Sequence, residues 1–178
     1  GTVIQEKIFF TYNASSDLFM NYFGTEGGIA FLELTNYGKY TAFNQFLKKD
    51  FFAANSISMG FEQGVPNPSE SVKEARTRFK VKTVKDSVID NKTLKHIQII
   101  PKDTLSYRFE SYNILINTDT KTELPVYTDP SVYFLLLGGL KEVKGTVVET
   151  YFIDLEGYVF CRDVLKGVQI TNKRIYIK

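Results

Sequence analysis

One histidine and one cysteine, the residue types that most often do chemistry near neutral pH, occur in this chain of 178 residues: His96 in "LKHIQII" and Cys161 in "YVFCRDV". A catalytic histidine needs a nucleophile or carboxylate beside it, and a metal site needs further ligands; neither stands near His96 in the sequence. A reactive thiol needs a cation or base that lowers its pKa, and on a strand Arg162 would point away from Cys161. The sequence favours structural roles for both, with a Cys161–His96 dyad left open.

Carboxylates offer a second kind of chemistry. Glu149, Asp154 and Glu156 lie in and near the tetrapeptide "DLEG", and two carboxyl groups that converge in one cleft are typical of some hydrolases. A carboxylate hydrolase is therefore the enzymatic alternative. The stretch "NTDTKTE" (117–123) begins like a calcium loop but has Lys and Thr where such a loop needs an oxygen ligand and a glycine, so a polar turn is favoured. We find no recognisable catalytic, metal or cofactor motif.

Two groups of side chains are candidates for binding. Basic residues alternate with others in "ARTRFKVKTVKD" and are predicted to form one face of a strand that contacts phosphate or anionic lipid, or that is simply solvated; they are Arg76, Arg78, Lys80 and Lys82. The candidates to line a ligand cleft are Phe9, Tyr12, Phe19, Tyr22, Tyr133 and Leu136. Core packing is the competing explanation for the aromatic residues.

Length and composition limit the class of protein. A chain of 178 residues with 43 % hydrophobic and 24 % charged residues fits a single domain, 1–178, with a packed core. The net charge of +2 is too small to predict a nucleic-acid partner. No apolar stretch reaches the roughly 18 to 20 residues of a membrane-spanning helix.

Local patterns predict a mainly β protein. Val, Ile, Thr, Phe and Tyr are frequent, and strands follow one another through short turns at Asp90-Asn91 and at "DLEG". Residues 40–52 fit either a strand or a helix, residues 60–74 read as a loop, and the last three strands read as antiparallel. The predicted fold is an antiparallel curved sheet or open half-barrel with one or two short helices.

The uncharged stretch 130–140 is predicted to pack on this sheet. Asp129 and Pro130 suit a helix start, and Gly138 suits its end. A helix of about two turns is not stable alone in water. We therefore expect it to bury its apolar side chains against the concave side of the sheet: Val132, Tyr133, Leu135 and Leu136.

The stretch "ILINTDTKTELPVYTDPSVYFLLLGGLKEVKGTVVETYFIDLEG" resembles the central block of the GLPGLI family. Leu124-Pro125 corresponds to the family's "IP" element, and "LGGL" (137–140) falls where the motif that names the family occurs; Lys141 departs from the pattern. The resemblance implies an exported protein of the kind found in the Bacteroidetes envelope. A wider analogy of architecture connects the predicted fold with periplasmic half-barrel carriers of lipid and lipoprotein.

These observations lead to one leading hypothesis and two alternatives. We expect an exported β-rich protein, in the periplasm or cell envelope, that binds lipid, another apolar small molecule or an envelope protein without catalysis. The chain begins with Gly1 rather than Met, and we expect an export signal to have been removed. The alternatives are the hydrolase and a structural or assembly protein of the envelope.

Overall fold

The structure is a computed structural model that falls into two compact units. Unit 1 comprises Gly1–Asn67 and Gln169–Lys178, and unit 2 comprises Pro68–Val168. The residues described are 8–12, 18–24, 28–36, 40–62, 68–120, 135, 145–167 and 172–178. The expectation of a single domain stays a prediction.

Strands dominate the described residues, so the predicted mainly β class is confirmed. In chain order the elements are β1 (Ile8–Tyr12), β2 (Leu18–Gly24), β3 (Ile29–Asn36), β4 (Tyr40–Leu47), α1 (Lys48–Ala53), β5 (Ser56–Glu62), α2 (Pro68–Arg78), β6 (Phe79–Thr83), β7 (Ser87–Ile89), β8 (Lys92–Pro101), α3 (Thr104–Tyr107), β9 (Ser111–Asn117), β10 (Thr146–Ile153), β11 (Val159–Val164) and β12 (Arg174–Ile177). The ambiguous residues 40–52 contain both a strand and a helix. Among the described residues, no helix is long and apolar enough to span a membrane.

Unit 1 is a sheet of order β1-β2-β3-β4-β5-β12. Every second side chain along its strands points into the core, because successive side chains of a strand point to opposite faces. The buried members of this core are Ala30, Leu32, Leu34, Ala42, Phe51, Ile57 and Met59, with Phe46, Ala54, Ile175 and Ile177 packed against them.

The prediction that β12 closes the fold as an antiparallel strand is wrong, because β12 runs parallel to β5. Its start is fixed beside α1, since Lys173 Nζ donates to the carbonyls of Phe52 (3.2 Å) and Ala54 (2.5 Å). Carbonyls at the end of a helix lack partners within the helix. The cation that satisfies them holds the last strand at the beginning of β5, so both strands run in the same direction.

Unit 2 is an antiparallel sheet of order β11-β10-β9-β8-β6, in which β7 also pairs with β8. The predicted turn at Asp90-Asn91 is confirmed. It joins β7 to β8, and its two residues have φ of 49° and 61°. Two left-handed residues are the signature of the hairpin turn whose twist matches that of the strands. The predicted hairpin between β10 and β11 is also confirmed.

The register of unit 2 separates two faces with different chemistry. The apolar face carries Ile97 of β8 beside Ile114 of β9, while the polar face carries Gln98 beside Asn113. The row through Asn113 continues to Tyr151 on β10 and to Arg162 on β11. Six consecutive residues of β9, 111–116, are buried. Both faces of this central strand are therefore covered.

The predicted basic strand is wrong in its first half. Arg76 and Arg78 lie in the last turn of α2, whereas Lys80 and Lys82 lie on β6. Basic residues are favourable at a helix end because they oppose the negative end of its dipole, and Arg78 also pairs with Glu74 one turn earlier. The four bases therefore do not share one strand face.

The loop predicted for residues 60–74 is likewise wrong at both ends. β5 extends to Glu62, and α2 begins at Pro68. Proline is common in the first turn of a helix, where its missing N–H costs nothing. The proline that suggested a loop is thus the start of a helix.

Gly145 fixes the beginning of β10. Its φ is +143°, and a Cβ at this position would overlap the carbonyl of Asn117 and the side chain of Ile116. A glycine is therefore required where the chain approaches the end of β9.

The predicted apolar helix lies outside the described residues except for Leu135. This residue is helical and only 2 % exposed, as expected for a core position. Val132, Tyr133 and Leu136 lie outside the described residues.

We predict that Leu135→Ala lowers the free energy of unfolding by about 2 to 5 kcal/mol, the range for large-to-small changes at buried leucines. Leu105 on α3 is 85 % exposed, so Leu105→Ala is the matched control and should change stability little. Urea denaturation midpoints of the two variants measure the difference. Equal midpoints would contradict a core role for Leu135.

Candidate functional site

A polar cluster of His96, Gln98, Ser111 and Asn113 occupies the centre of the polar face. His96 Nε2 lies 2.9 Å from Asn113 Oδ1. Gln98 Nε2 donates to the same oxygen and to Ser111 Oγ, each at 3.3 Å, and Asn113 Nδ2 donates to Ser111 Oγ at 3.0 Å. Ser111 and Asn113 are each 1 % exposed. Buried polar groups need such partners, since a buried group without one costs about 1 to 3 kcal/mol.

This geometry indicates which ring nitrogen of His96 donates to Asn113. The Asn113 oxygen can only accept, so Nε2 of the imidazole carries the proton. Asn113 therefore orients the histidine ring, and the ring in turn helps to satisfy the buried amide. The arrangement makes His96 part of the hydrogen bonding of the sheet; that it has a structural role alone stays a prediction.

An ion pair flanks the cluster on the same face. Arg162 of β11 binds Glu149 of β10 through two hydrogen bonds, Nε–Oε1 at 2.7 Å and Nη2–Oε2 at 3.1 Å. Tyr151 lies between this pair and His96. The centroid of its ring is 6.3 Å from that of the imidazole. Burial, reinforced by the charge of Glu149, raises the pKa of Tyr151. Its hydroxyl therefore remains protonated at neutral pH.

The structure rules out a Cys161–His96 dyad. Cys161 of β11 pairs with Phe152 on the apolar face, whereas His96 lies on the polar face of β8, three strands away from β11. Three strand spacings correspond to roughly 14 Å. Cys161 is exposed, but partial burial of its thiol and the negative charge of Asp163 raise its pKa, which opposes thiolate chemistry.

Two of the three carboxylates of the hydrolase alternative, Glu149 and Asp154, are bound within the hairpin. Glu149 holds Arg162, and Asp154 Oδ1 accepts from the backbone N–H groups of Glu156 (3.1 Å) and Tyr158 (2.7 Å). In the part of the chain that the structure describes, no group of three or more His, Cys, Asp or Glu is placed to hold a metal ion.

For the residues predicted to line a ligand cleft, the structure describes at most the position of the backbone. Phe9 pairs with Tyr22, and Tyr12 pairs with Phe19, across β1 and β2. Tyr133 and Leu136 lie outside the described residues. A separate open hollow of about 560 Å³ in unit 1 is lined by Gly28, Leu47, Lys48, Lys49 and Phe52, but so open a hollow shields little of a bound molecule.

The strongest surface feature is what we call the apolar hairpin surface, on β11 and the residues beside it. Tyr158 is 72 % exposed and Phe160 57 %. The whole set is Leu155, Tyr158, Val159, Phe160, Val164 and Leu165, all of them exposed. Neighbouring strand residues point to opposite faces, so these side chains are divided between the two faces of the hairpin; exposed apolar side chains grouped in this way are candidates for an interaction site.

The apolar hairpin surface is supported by a row of aromatic rings on the apolar face. Phe160 lies 5.6 Å from Phe152, which stacks on Tyr112 at 4.4 Å and meets Phe109 at 5.1 Å. The row continues through Tyr107 to Phe79 on β6. Packed aromatic rings hold one another in place, so Phe160 is attached to a firm base.

The two outer strands of the described part of this sheet are protected in different ways. β6 carries exposed Lys80 and Lys82, a common protection of outer strands against unwanted pairing. β11 has no lysine, and Glu149 binds its arginine, but it carries Asp163 and a register shift opposite Phe152 and Ile153, which also hinder the pairing of an added strand.

Sequence reasoning missed both the polar cluster and the apolar hairpin surface. The cluster had a visible signal, namely polar residues at every second position of two apolar strands, "HIQ" and "SYN". The hairpin surface had none, because an exposed strand and a buried one can share the same apolar composition.

Comparison with known proteins adds little. No protein-family model matches the chain, and no curated protein matches it. One solved structure with a weak likeness is a crystal structure of a domain from Vibrio parahaemolyticus described as an outer membrane lipoprotein-sorting protein. The match has a TM-score of 0.38 and 10 % sequence identity and covers 95 % of this chain. The chain spans 65 % of the length of that structure.

We predict that Asn113→Ala destabilises the protein by about 1 to 3 kcal/mol or more, because it leaves His96 and Gln98 without their shared acceptor. Asn55→Ala, at an exposed position, is the control. Chemical denaturation monitored by circular dichroism gives both values. A midpoint for Asn113→Ala that matches the control would contradict the importance of the cluster.

We also predict a high pKa for the thiol of Cys161, seen as slow alkylation by iodoacetamide at neutral pH. Asp163→Asn removes a charge that raises this pKa, so the alkylation profile should shift to lower pH. Glu156→Gln, in the turn, should leave the profile in place. An unchanged profile in Asp163→Asn would show that the carboxylate does not act on the thiol.

Proposed function

We propose that this chain is an exported, non-catalytic binding protein that uses the apolar hairpin surface to bind an apolar ligand or an envelope partner. The observation that carries the proposal is the exposure of six large apolar side chains within residues 155–165. Water contact at these side chains is costly, and covering them is favourable by roughly 25 cal/mol per Å² of apolar area.

The chemistry around the surface supports binding rather than catalysis. The residues with catalytic potential nearby have structural tasks: Glu149 neutralises Arg162, Asp154 shapes the turn, and His96 is held by Asn113. A raised pKa keeps the Cys161 thiol protonated. These groups stabilise the hairpin and the sheet from which it projects.

The family resemblance supports the export part of the proposal. The block that resembles the GLPGLI family ends in the "DLEG" turn, which is the turn of this hairpin. An exported member of such a family would present the apolar hairpin surface to lipids or proteins of the envelope.

Native mass spectrometry of the protein isolated from the envelope of its source cells tests the proposal. We expect bound lipid or protein in the wild type and its loss in the double variant Tyr158→Ser/Phe160→Ser. The control Val88→Ser/Leu105→Ser removes two side chains that are also highly exposed, at 70 % and 85 %, and should retain the bound material.

Three results would contradict the proposal: wild-type protein free of bound material, equal retention by both double variants, or recovery only from the cytoplasmic fraction. Circular dichroism confirms that each variant is folded. This check is needed above all for Phe160→Ser, because the Phe160 ring packs against Phe152.

A further inference from the structure

We propose that unit 1 carries a second binding site, which takes an amphiphile with one apolar chain and an acidic head, a phosphate or a carboxylate. The head binds at Lys48 and Lys49, and the chain lies along the apolar side chains beside them. The site is separate from the apolar hairpin surface, so the inference goes beyond the proposed function.

The hollow beside α1 has the composition that such a ligand needs. Its volume is about 560 Å³, and its lining combines the cations of Lys48 and Lys49 with the apolar side chains of Leu47 and Phe52. Leu47 is 49 % exposed and Phe52 51 %. Gly28 adds no side chain, and a Cβ at its position would meet open space. The volume is typical of small-molecule sites, but the wide opening suits one end of a longer molecule better than a whole ligand.

The two lysines select the charge of the ligand. Among the described residues, neither Lys48 nor Lys49 forms an ion pair, and the carboxylate of Asp50 does not line the hollow. Lys173, a further cation near α1, already donates to two backbone carbonyls. Neighbouring cations repel each other, and an anion bound by both offsets that repulsion. Phosphate and carboxylate oxygens accept strong, charge-assisted hydrogen bonds from ammonium groups.

An apolar face of the sheet continues from the hollow along β4. Ala42 packs into the core. The alternation of the strand therefore places Phe43, Gln45 and Leu47 on the other face. Phe43 is 42 % exposed, and Phe31 stacks on it with ring centroids 6.1 Å apart. From Phe43 to Leu47 the strand extends roughly 13 Å, so an extended alkyl chain whose head lies in the hollow can cover both side chains.

The open shape of the site determines how firmly it holds its ligand. Part of the chain stays in contact with water, so only part of its apolar area contributes to binding. We expect a dissociation constant in the micromolar range and rapid release. Such a ligand is lost during isolation, and the native mass spectra that test the apolar hairpin surface therefore do not detect it.

Isothermal titration calorimetry of the purified full chain with dodecyl phosphate, kept below its micelle-forming concentration, tests the inference. We expect one saturable site in the wild type. Lys48→Gln/Lys49→Gln should weaken binding roughly tenfold or more, because both charge-assisted hydrogen bonds are lost. Lys80→Gln/Lys82→Gln removes the same charge from exposed positions of unit 2 and should bind as the wild type does.

Two further ligands separate the contributions of the head and the chain. Inorganic phosphate carries the charge without a chain, and dodecyl maltoside carries the same chain on an uncharged head. Each should bind the wild type roughly tenfold more weakly than dodecyl phosphate does, or not at all. Added salt should weaken the binding of dodecyl phosphate to the wild type, because screening acts on its charge, and this measurement needs no variant.

Four results would each overturn the inference: no saturable binding by the wild type, unchanged binding by Lys48→Gln/Lys49→Gln, equal loss in the control from unit 2, or equal affinity for dodecyl maltoside. Tyr158→Ser/Phe160→Ser should bind dodecyl phosphate as the wild type does. Loss of binding in that variant would move the amphiphile to the apolar hairpin surface, which would reject the site in unit 1 and leave the proposed function standing. Binding at the lysines by a protein that carries nothing from the envelope would support this site and contradict the proposed function alone.

Discussion

The burial of both faces of β9 is the constraint on which the rest of unit 2 depends. A strand in the middle of a sheet can bury apolar side chains on both sides at no cost, but β9 carries Ser111 and Asn113 on one of them. Their desolvation must be offset by hydrogen bonds. The neighbouring strand supplies those bonds from His96 and Gln98. One register satisfies all four side chains, and a slip by one residue would bury two of them unpaired against isoleucines.

That requirement explains why the sheet has one polar and one apolar face up to its last strand. The register fixed at Asn113 passes to Tyr151 and then to Arg162, so Arg162 reaches the polar face, where Glu149 can bind it. The same alternation sends Cys161 to the apolar face, beside Phe152 and the aromatic row. The face to which each side chain of β11 points is thus determined by the register of β9, two strands away.

The sequence predicted elements whose signals are local and failed where partners are distant. The Asp90-Asn91 turn and the β10–β11 hairpin could be predicted because turn residues define them within a few positions. α2 was missed because Arg76 and Arg78 happen to continue the alternation of β6, although helix-end electrostatics place them there. The parallel pairing of β12 depends on Lys173 meeting carbonyls some 120 residues earlier, and no local pattern contains that contact. His96 was predicted to be structural, but its partner Asn113, 17 residues away, could be found only by aligning two strands.

The outer strands in the described part of unit 2 hinder the pairing of a further strand in different ways. Both β6 and β11 leave backbone groups on a side of the sheet, and the same aromatic row reaches both, through Phe79 and Phe160. On β6, Lys80 and Lys82 lie on the face opposite Phe79, and their charges oppose an added strand. On β11 the charge of Arg162 is neutralised by Glu149, but Asp163 and the register shift between Phe152 and Ile153 interrupt a regular row of pairing groups. The exposure of apolar side chains on β11 is therefore a feature that the pairing of the strands does not explain by itself.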